Sequence, residues 1–437
     1  MTLSRDRILF LEALRRFIQS GKDGYAECDR SGESVTVDYD TLAAVWRLSY
    51  IHAVLPMAYD AASVLSRGIP DSDAEVTERL MSVWKQQAIR SVAAQTIRSS
   101  ALLQLCKKFD AAGLHVLVVK GIICRRLYPK PDYRTSADED IYVLEEELGD
   151  VRAILEKEGL TPVDPDEFTD DETDVATYVS RATGLKIELH RHLFEREFAV
   201  CIGADGLFEH AHERALATEL DGVPVLSMCR TDHMIFLLLH ACKHFVHSGF
   251  GIRQVCDICR FAEAMNDEID WQEVRRALER CRAETFAASL FRIGSEYLGF
   301  PDADYIGTES PDVTELLDDI LDGGVYGSVS EDRIHSGLIT LNAVSSPERG
   351  SGSHILRTVF PPARELRGSY RYLRTKPWLL PAAWVQRIFS YLGKGKRVSA
   401  EESLRIGKRR VELLRRYGLV QAEEADGQTD PRNSNST

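Results

Sequence analysis

Two aspartates separated by one residue are the first candidates for chemistry. Asp138 and Asp140 lie at the start of a segment with the pattern of a β-strand, in which residues two apart point to the same face. We expect their carboxylates to project side by side, and Glu139 to point away. Adjacent carboxylates repel each other unless a positive charge lies between them, and hard oxygen ligands favour Mg²⁺. The spacing therefore suggests a cation site, although in a chain with 68 acidic residues it also fits a solvated loop.

A third carboxylate, Glu188, lies on another predicted strand, between Ile187 and Leu189. A glutamate among apolar neighbours is costly to bury without a partner. Three carboxylates on neighbouring strands are typical of a metal site that handles phosphates. Asp138, Asp140 and Glu188 are therefore the candidate catalytic and metal-ligating residues, with Mg²⁺ or Mn²⁺ as the cofactor.

The elements that must position these carboxylates form an α+β segment of about 130 residues. Its predicted strands are a β-branched run at 115–119, a run at 140–143, a third at 184–189 and an edge strand at 223–226. Lys120-Gly121 follows the first strand and leads into a short helical segment. Helical periodicity dominates on both sides of this α+β segment.

Changes in composition and hydrophobic periodicity divide the chain into five predicted regions. These are an N-terminal helical region (1–95), the α+β core (96–228), a second helical region (229–345), a basic helical region (346–421) and a disordered tail (422–437). The net charge is −14, yet residues 349–416 carry 17 Lys and Arg against 4 Asp and Glu. A basic region can face an anionic partner, but solvated helix faces packed on an acidic body explain it more simply. The acidic remainder argues against general nucleic-acid binding.

The order of several short motifs resembles the nucleotidyltransferase superfamily of the DNA polymerase β type, in particular a bacterial group described only as nucleotidyltransferase family proteins. The resemblance extends over about 103–193 and more loosely over 231–261. Two positions depart from most of the superfamily: Lys120-Gly121 stands in place of Gly-Ser or Gly-Gly, and Glu139 in place of an apolar residue. The motifs, in order, are Lys120-Gly121, Leu127-Tyr128-Pro129, Arg134, Asp138-x-Asp140, Glu188-Leu189-His190, His240-x-x-x-His244 and Asp257.

This resemblance implies an α+β fold with a small polymerase β-like nucleotidyltransferase sheet, flanked by mostly helical N- and C-terminal regions. It implies transfer of a nucleoside monophosphate from a nucleoside triphosphate to an acceptor hydroxyl, with release of pyrophosphate. Asp138 and Asp140 would hold the metal, while Glu188 would complete the metal site and help to deprotonate the hydroxyl. ATP is the default donor because it is abundant, and no residue indicates the acceptor. The residues that would bind the nucleotide are Lys120, Gly121 and Arg134.

Other function classes remain open at this point. The core could serve as a catalytically silent nucleotide-binding or toxin-neutralising interaction module, which Glu139 between the paired aspartates mildly favours. Alternatively, the chain could be a helical scaffold whose basic region docks on an anionic partner. Salt-sensitive binding that is indifferent to Asp138 and Asp140 would favour the scaffold.

Histidines and cysteines offer a competing metal site. Cys256-x-x-Cys259 has zinc-ligand spacing, but its distance from His240 and His244 fits no familiar finger. Packing is the favoured interpretation of all four residues. His190 shares the predicted strand face of Glu188, which suggests that it supports that carboxylate.

Long apolar segments are absent from the sequence. No run of about 18 uncharged apolar residues occurs, and the first residues lack the pattern of a signal peptide. The nine cysteines are scattered, as is typical of reduced thiols. We therefore expect a cytoplasmic protein without a transmembrane segment. The aromatic stretch 378–384 fits core packing or a partner interface better than a membrane surface.

Overall fold

A computed structural model describes residues 3–20, 37–164, 174–247, 249–325, 340, 370, 372–393 and 400–420. The chain divides into two compact units, Met1–Ser330 and Glu331–Thr437. The predicted disordered tail at 422–437 lies outside the described residues. Within these ranges no helix combines the length and apolar character needed to cross a membrane.

Among the described residues, four helices precede the sheet in the first unit, and local sequence explains where two of them begin. The Asp38 carboxylate accepts a hydrogen bond from the Thr41 N–H, which caps the second helix. Pro56 lies in the first turn of the third, where its missing N–H costs nothing. The helices are α1 (Arg5–Gln19), α2 (Tyr39–Ile51), α3 (Leu55–Leu65) and α4 (Ala74–Ala111).

In the part of the chain that the structure describes, seven strands form one mixed sheet in the order β3-β4-β5-β2-β1-β7-β6. The central pair β1 and β2 is antiparallel, whereas β2 and β5 are parallel. The fold is therefore α+β, as predicted. The strands are β1 (Leu117–Val119), β2 (Glu139–Tyr142), β3 (Leu160–Pro162), β4 (Val175–Ser180), β5 (Lys186–His190), β6 (Leu216–Leu220) and β7 (Val223–Ser227).

One detail of the predicted sheet is wrong. The strand at 223–226 was expected at the edge, but β7 lies between β1 and β6. Strand β6 pairs with β7 through a hairpin and takes the edge position. Its residues are half-buried or exposed, so the sequence of β6 carries little apolar alternation from which to predict it.

Helices from the middle of the chain complete the first unit. Helix α8 is buried around most of its circumference, as expected for a helix in a core. It packs against α9 and α10. These helices are α5 (Gly121–Arg125), α6 (Leu148–Lys157), α7 (Arg196–Ile202), α8 (Arg230–His247), α9 (Ile252–Met265), α10 (Trp271–Cys281), α11 (Glu284–Leu298) and α12 (Thr314–Gly323).

The second unit contains α13 (Tyr372–Thr375), α14 (Leu380–Gly393) and α15 (Ala400–Arg416). Leu373 and Ala383 form a small buried cluster, against which Trp384 packs. Trp378 is exposed. The aromatic stretch thus divides between a local core and the surface.

Candidate functional site

Strand register brings the predicted carboxylates together. Asp140 on β2 pairs with Glu188 on the parallel strand β5 and with Val119 on β1. Asp138 precedes β2 on the same face, and Lys120 follows directly after β1. Four charged groups therefore meet where β1, β2 and β5 lie side by side.

Asp140 is the most deeply buried of the three carboxylates. Its Oδ2 lies 3.1 Å from the Lys120 Nζ, and its Oδ1 lies 3.2 Å from the Nε2 of His190. Burial disfavours the charged form, but the Lys120 ammonium and the His190 hydrogen bond outweigh it. They hold the pKa of Asp140 well below its usual value. Burial likewise opposes the charge of Lys120, and the Asp140 carboxylate nevertheless raises the pKa of that amine.

Lys186 stands between the other two carboxylates. Its Nζ lies 2.6 Å from Oε1 of Glu188 and 3.6 Å from Oδ2 of Asp138. The side chain of Lys186 is 35 % exposed, whereas that of Lys120 is 13 % exposed. The site thus contains two ammonium groups. That of Lys120 is enclosed and pairs with Asp140, and that of Lys186 is more exposed and lies between Asp138 and Glu188.

Ligand atoms of Asp140, Glu188 and His190 all lie within 4.8 Å of one another, the spacing of a group that can hold a metal ion. Carboxylates and imidazole are ligands for Mg²⁺, Mn²⁺ and other divalent ions. The three carboxylates already surround positive charge, supplied by two lysines. The residues therefore fit a divalent cation, provided that an ammonium gives way to it.

Lys120 is held from both its backbone and its side chain. Its φ of 57° is uncommon for a residue with a side chain. Its N–H donates to Nε2 of His233 (2.9 Å), and its Nζ lies 3.5 Å from Nε2 of His240. Burial lowers the pKa of His233 to about 3, and burial, helped by Lys120, lowers that of His240. Both imidazoles are therefore neutral near pH 7 and accept from Lys120.

Glu139 points to the opposite face of β2, as the alternation predicted. Its carboxylate pairs with Arg125 and accepts hydrogen bonds from the Ser136 hydroxyl (2.7 Å) and the Ile122 N–H (2.9 Å). A Cβ added to Gly121 would lie 1.8 Å from Oε2 of Glu139. The structure therefore places Gly121 directly against Glu139, and a side chain at position 121 would displace that carboxylate.

Arg134 pairs with a carboxylate that is not one of the three candidates. Its side chain is 1 % exposed, and its guanidinium pairs with Asp257 on α9, with Nη2 at 2.5 Å from Oδ2 and Nε at 3.1 Å from Oδ1. The Tyr128 hydroxyl donates to the same carboxylate. Burial opposes ionisation of Asp257, yet the Arg134 charge outweighs it and lowers the pKa of the carboxyl group.

Cys256 and Cys259 are buried thiols, and the latter donates to the Leu290 carbonyl. In the part of the chain that the structure describes, no cluster of metal ligands includes them. The rings of His240 and His244 contact each other, with centroids 4.4 Å apart. This arrangement agrees with the packing interpretation of these residues.

Lys186 and Arg125 are among the side chains around the site that were not predicted. Lys186 lies two residues before Glu188 on one strand face, so the alternation that placed the carboxylates would also have found it. Arg125, the partner of Glu139, lies on a helix whose sequence shows no periodic pattern that would single out this residue. Only the tertiary structure reveals the pair.

The comparison with protein families agrees with this geometry. The family model described as an uncharacterised nucleotidyltransferase matches residues 40–299, well over half of the chain. The matched range includes β1, β2, β5 and α8. No curated protein matches the chain.

Proposed function

Since the chain belongs to the uncharacterised nucleotidyltransferase family, we propose that it transfers a nucleoside monophosphate from a nucleoside triphosphate to an acceptor hydroxyl. The observation that carries this proposal is the register of β1, β2 and β5, which gathers Asp138, Asp140 and Glu188 around two ammonium groups. A site with three carboxylates suits metal-assisted phosphoryl chemistry.

Asp138, Asp140 and Glu188 would hold Mg²⁺ or Mn²⁺. The bound ion would neutralise phosphate charge and align the α-phosphorus for in-line attack. His190 donates to Asp140 and would fix the orientation of that carboxylate.

In the proposed reaction the acceptor oxygen forms a bond to the α-phosphorus. The bond from that phosphorus to the bridging oxygen breaks, and pyrophosphate leaves with the electron pair. Glu188 would receive the hydroxyl proton, since it is the more exposed of the two carboxylates paired across β2 and β5. Lys120 would contact the phosphates as the charge moves toward the leaving group.

We propose an indirect part in nucleotide binding for Gly121 and Arg134. Gly121 makes room for Glu139, which fixes the turn that carries Lys120. Arg134 ties the segment before β2 to α9. Both residues would then shape the site without contacting the triphosphate.

We place the reaction in the cytoplasm, with ATP as the default donor. The eight described cysteines are all free, which suits a reducing compartment. Glu139 is buried with Arg125 on the opposite face from the aspartates, and this arrangement supports an active site over a catalytically silent module.

Thermal unfolding with each nucleoside triphosphate, with and without Mg²⁺, tests the proposal. A ligand that binds only the folded protein at 100 times its dissociation constant adds about 2.7 kcal/mol of stability. We expect metal-dependent stabilisation of the wild type, and its loss in Asp138→Asn/Asp140→Asn. Asp60→Asn, which changes a surface partner of Lys130, is the matched control and should respond like the wild type.

Glu188→Gln provides a second variant, because Glu188 is partly exposed and its neutralisation leaves the Lys120–Asp140 pair intact. A well-folded wild type that responds to no nucleotide would exclude the proposal. Stabilisation without pyrophosphate release, across a panel of hydroxyl acceptors, would support the silent module instead.

A further inference from the structure

We infer that Lys186 occupies the cation position between Asp138 and Glu188 in the metal-free protein, and moves onto the triphosphate when a divalent ion takes that position. This inference rests on the proposed function and assigns a phosphate ligand to it. Lys186 would be both a competitor of free metal and a binding residue for the metal–nucleotide complex.

The contacts of Lys186 support the first half of the inference. An ammonium 2.6 Å from Glu188 and 3.6 Å from Asp138 supplies positive charge between carboxylates that would otherwise repel each other. A divalent ion bound by the same carboxylates would lie close to the ammonium, and like charges at such distances repel by several times the thermal energy. Lys186 and the ion therefore exclude each other.

The two lysines of the site differ in how firmly they are held. Lys120 is enclosed, with its N–H on His233 and its amine on Asp140 and next to His240. Lys186 lies on β5, and its long side chain is 35 % exposed to solvent. A lysine is a compact charge on a flexible four-carbon stem, so Lys186 can release its carboxylates with little rearrangement.

A triphosphate gives the displaced ammonium a new partner. Without nucleotide, metal binding would leave Lys186 beside a divalent ion that competes with it for Asp138 and Glu188. With nucleotide, the phosphate oxygens accept the ammonium, and the cost disappears. Metal and nucleotide should therefore bind cooperatively, each weakly without the other.

Calorimetric titration of the full chain with Mn²⁺ alone, and with nucleotide in saturating Mg²⁺, tests the inference on Lys186→Met. We expect Mn²⁺ alone to bind about tenfold more tightly than to the wild type, and the nucleotide about tenfold more weakly. Lys186→Arg keeps the charge and should resemble the wild type in both titrations. Lys108→Met, which removes an exposed partner of Glu158, is the control for loss of a surface lysine.

Opposite changes in the two affinities would support the inference, because general damage to the site would weaken both. Unchanged or weaker Mn²⁺ binding by Lys186→Met would overturn it, as would unchanged nucleotide binding. Failure of the proposed function would give a different result. The wild type and Lys186→Arg would then show no nucleotide binding, whether or not Mn²⁺ binds.

Discussion

Glu139 and Asp140 are neighbours in the chain and have opposite surroundings. Glu139 is buried with Arg125, the Ser136 hydroxyl and the Ile122 N–H, whereas Asp140 faces Lys120 and His190. Each carboxylate is compensated on its own side of β2, so three consecutive acidic residues can be folded without mutual repulsion in one pocket. Within Asp138-Glu139-Asp140, Glu139 therefore has a structural role, and the two aspartates belong to the candidate site.

Gly121→Ala tests the structural side of this division. The added Cβ would displace the Glu139 carboxylate from the Ile122 N–H and from Arg125. Because this leaves buried polar groups poorly paired, we expect the free energy of unfolding to fall by about 1–3 kcal/mol. Chemical denaturation measures it. Gly149→Ala in α6, where an added Cβ meets nothing within 4 Å, is the matched control and should be neutral or stabilising. Equal effects of the two substitutions would contradict the assigned contact.

How much of the site can be predicted depends on how far apart its parts lie in sequence. Strand alternation places Asp138, Asp140 and Glu188 on one face, because that rule is local. Asp257 is 123 positions from Arg134, and no local rule predicts their ion pair. Arg134 was therefore expected to contact phosphate, and the structure gives its charge a partner inside the protein.

At the scale of elements, separation in sequence also limits how much of the sheet can be predicted. β1 was predicted from its β-branched run, whereas β2 and β5 were predicted from short strand-like segments in which charged and apolar residues are mixed. β3, β4 and β6 were not predicted. The place of β7 depends on its parallel pairing with β1, more than 100 positions away in sequence, and on a β6 hairpin with few buried residues. For the four strands that were predicted, strand identity was local information, whereas strand order was not.

The Arg134–Asp257 pair joins the segment before β2 to α9, and its removal separates structure from ligand binding. We expect Arg134→Met to lower the free energy of unfolding by about 3–5 kcal/mol, because it leaves the buried Asp257 carboxylate without its ion-pair partner. Arg134→Met/Asp257→Leu should recover part of the loss. Because Arg134 would act on the site only through the fold, nucleotide affinity measured by calorimetry on the folded fraction should change little compared with the loss of stability. A stable Arg134→Met protein with greatly weakened nucleotide binding would instead show that Arg134 contacts the phosphates.

At the scale of the whole molecule, buried neutral histidines link stability to pH. Burial lowers the pKa of His52 and His244 to about 4 and about 3, and it lowers those of His233 and His240 as well. Below pH 6.5 the unfolded chain takes up protons that the folded protein refuses. Stability therefore falls as the pH drops from 6.5 toward the lowered values.

His52 isolates one such contribution, because it lies outside the candidate site. Its Nε2 lies 3.1 Å from the Leu321 carbonyl, so Nε2–H donates, and its Nδ1 accepts from the Ile252 N–H. Protonation would turn Nδ1 into a donor facing another donor. At 1.36 kcal/mol per pH unit, His52 should cost the wild type about 2 kcal/mol of stability between pH 7 and pH 5.

Urea denaturation at pH 7, 6 and 5 should show this loss in the wild type, and a shallower pH dependence in His52→Gln. The variant will also be less stable at pH 7, since the hydrogen bonds to Leu321 and Ile252 are disturbed. Only the difference between the two proteins in the slope of unfolding free energy against pH reports the titration of His52. NMR of the His52 ring provides an independent readout and should show a neutral imidazole in the folded protein at pH 5. Parallel slopes, or a ring that protonates near pH 6.5, would mean that the helix ends around His52 admit the charged form and that acid sensitivity arises elsewhere.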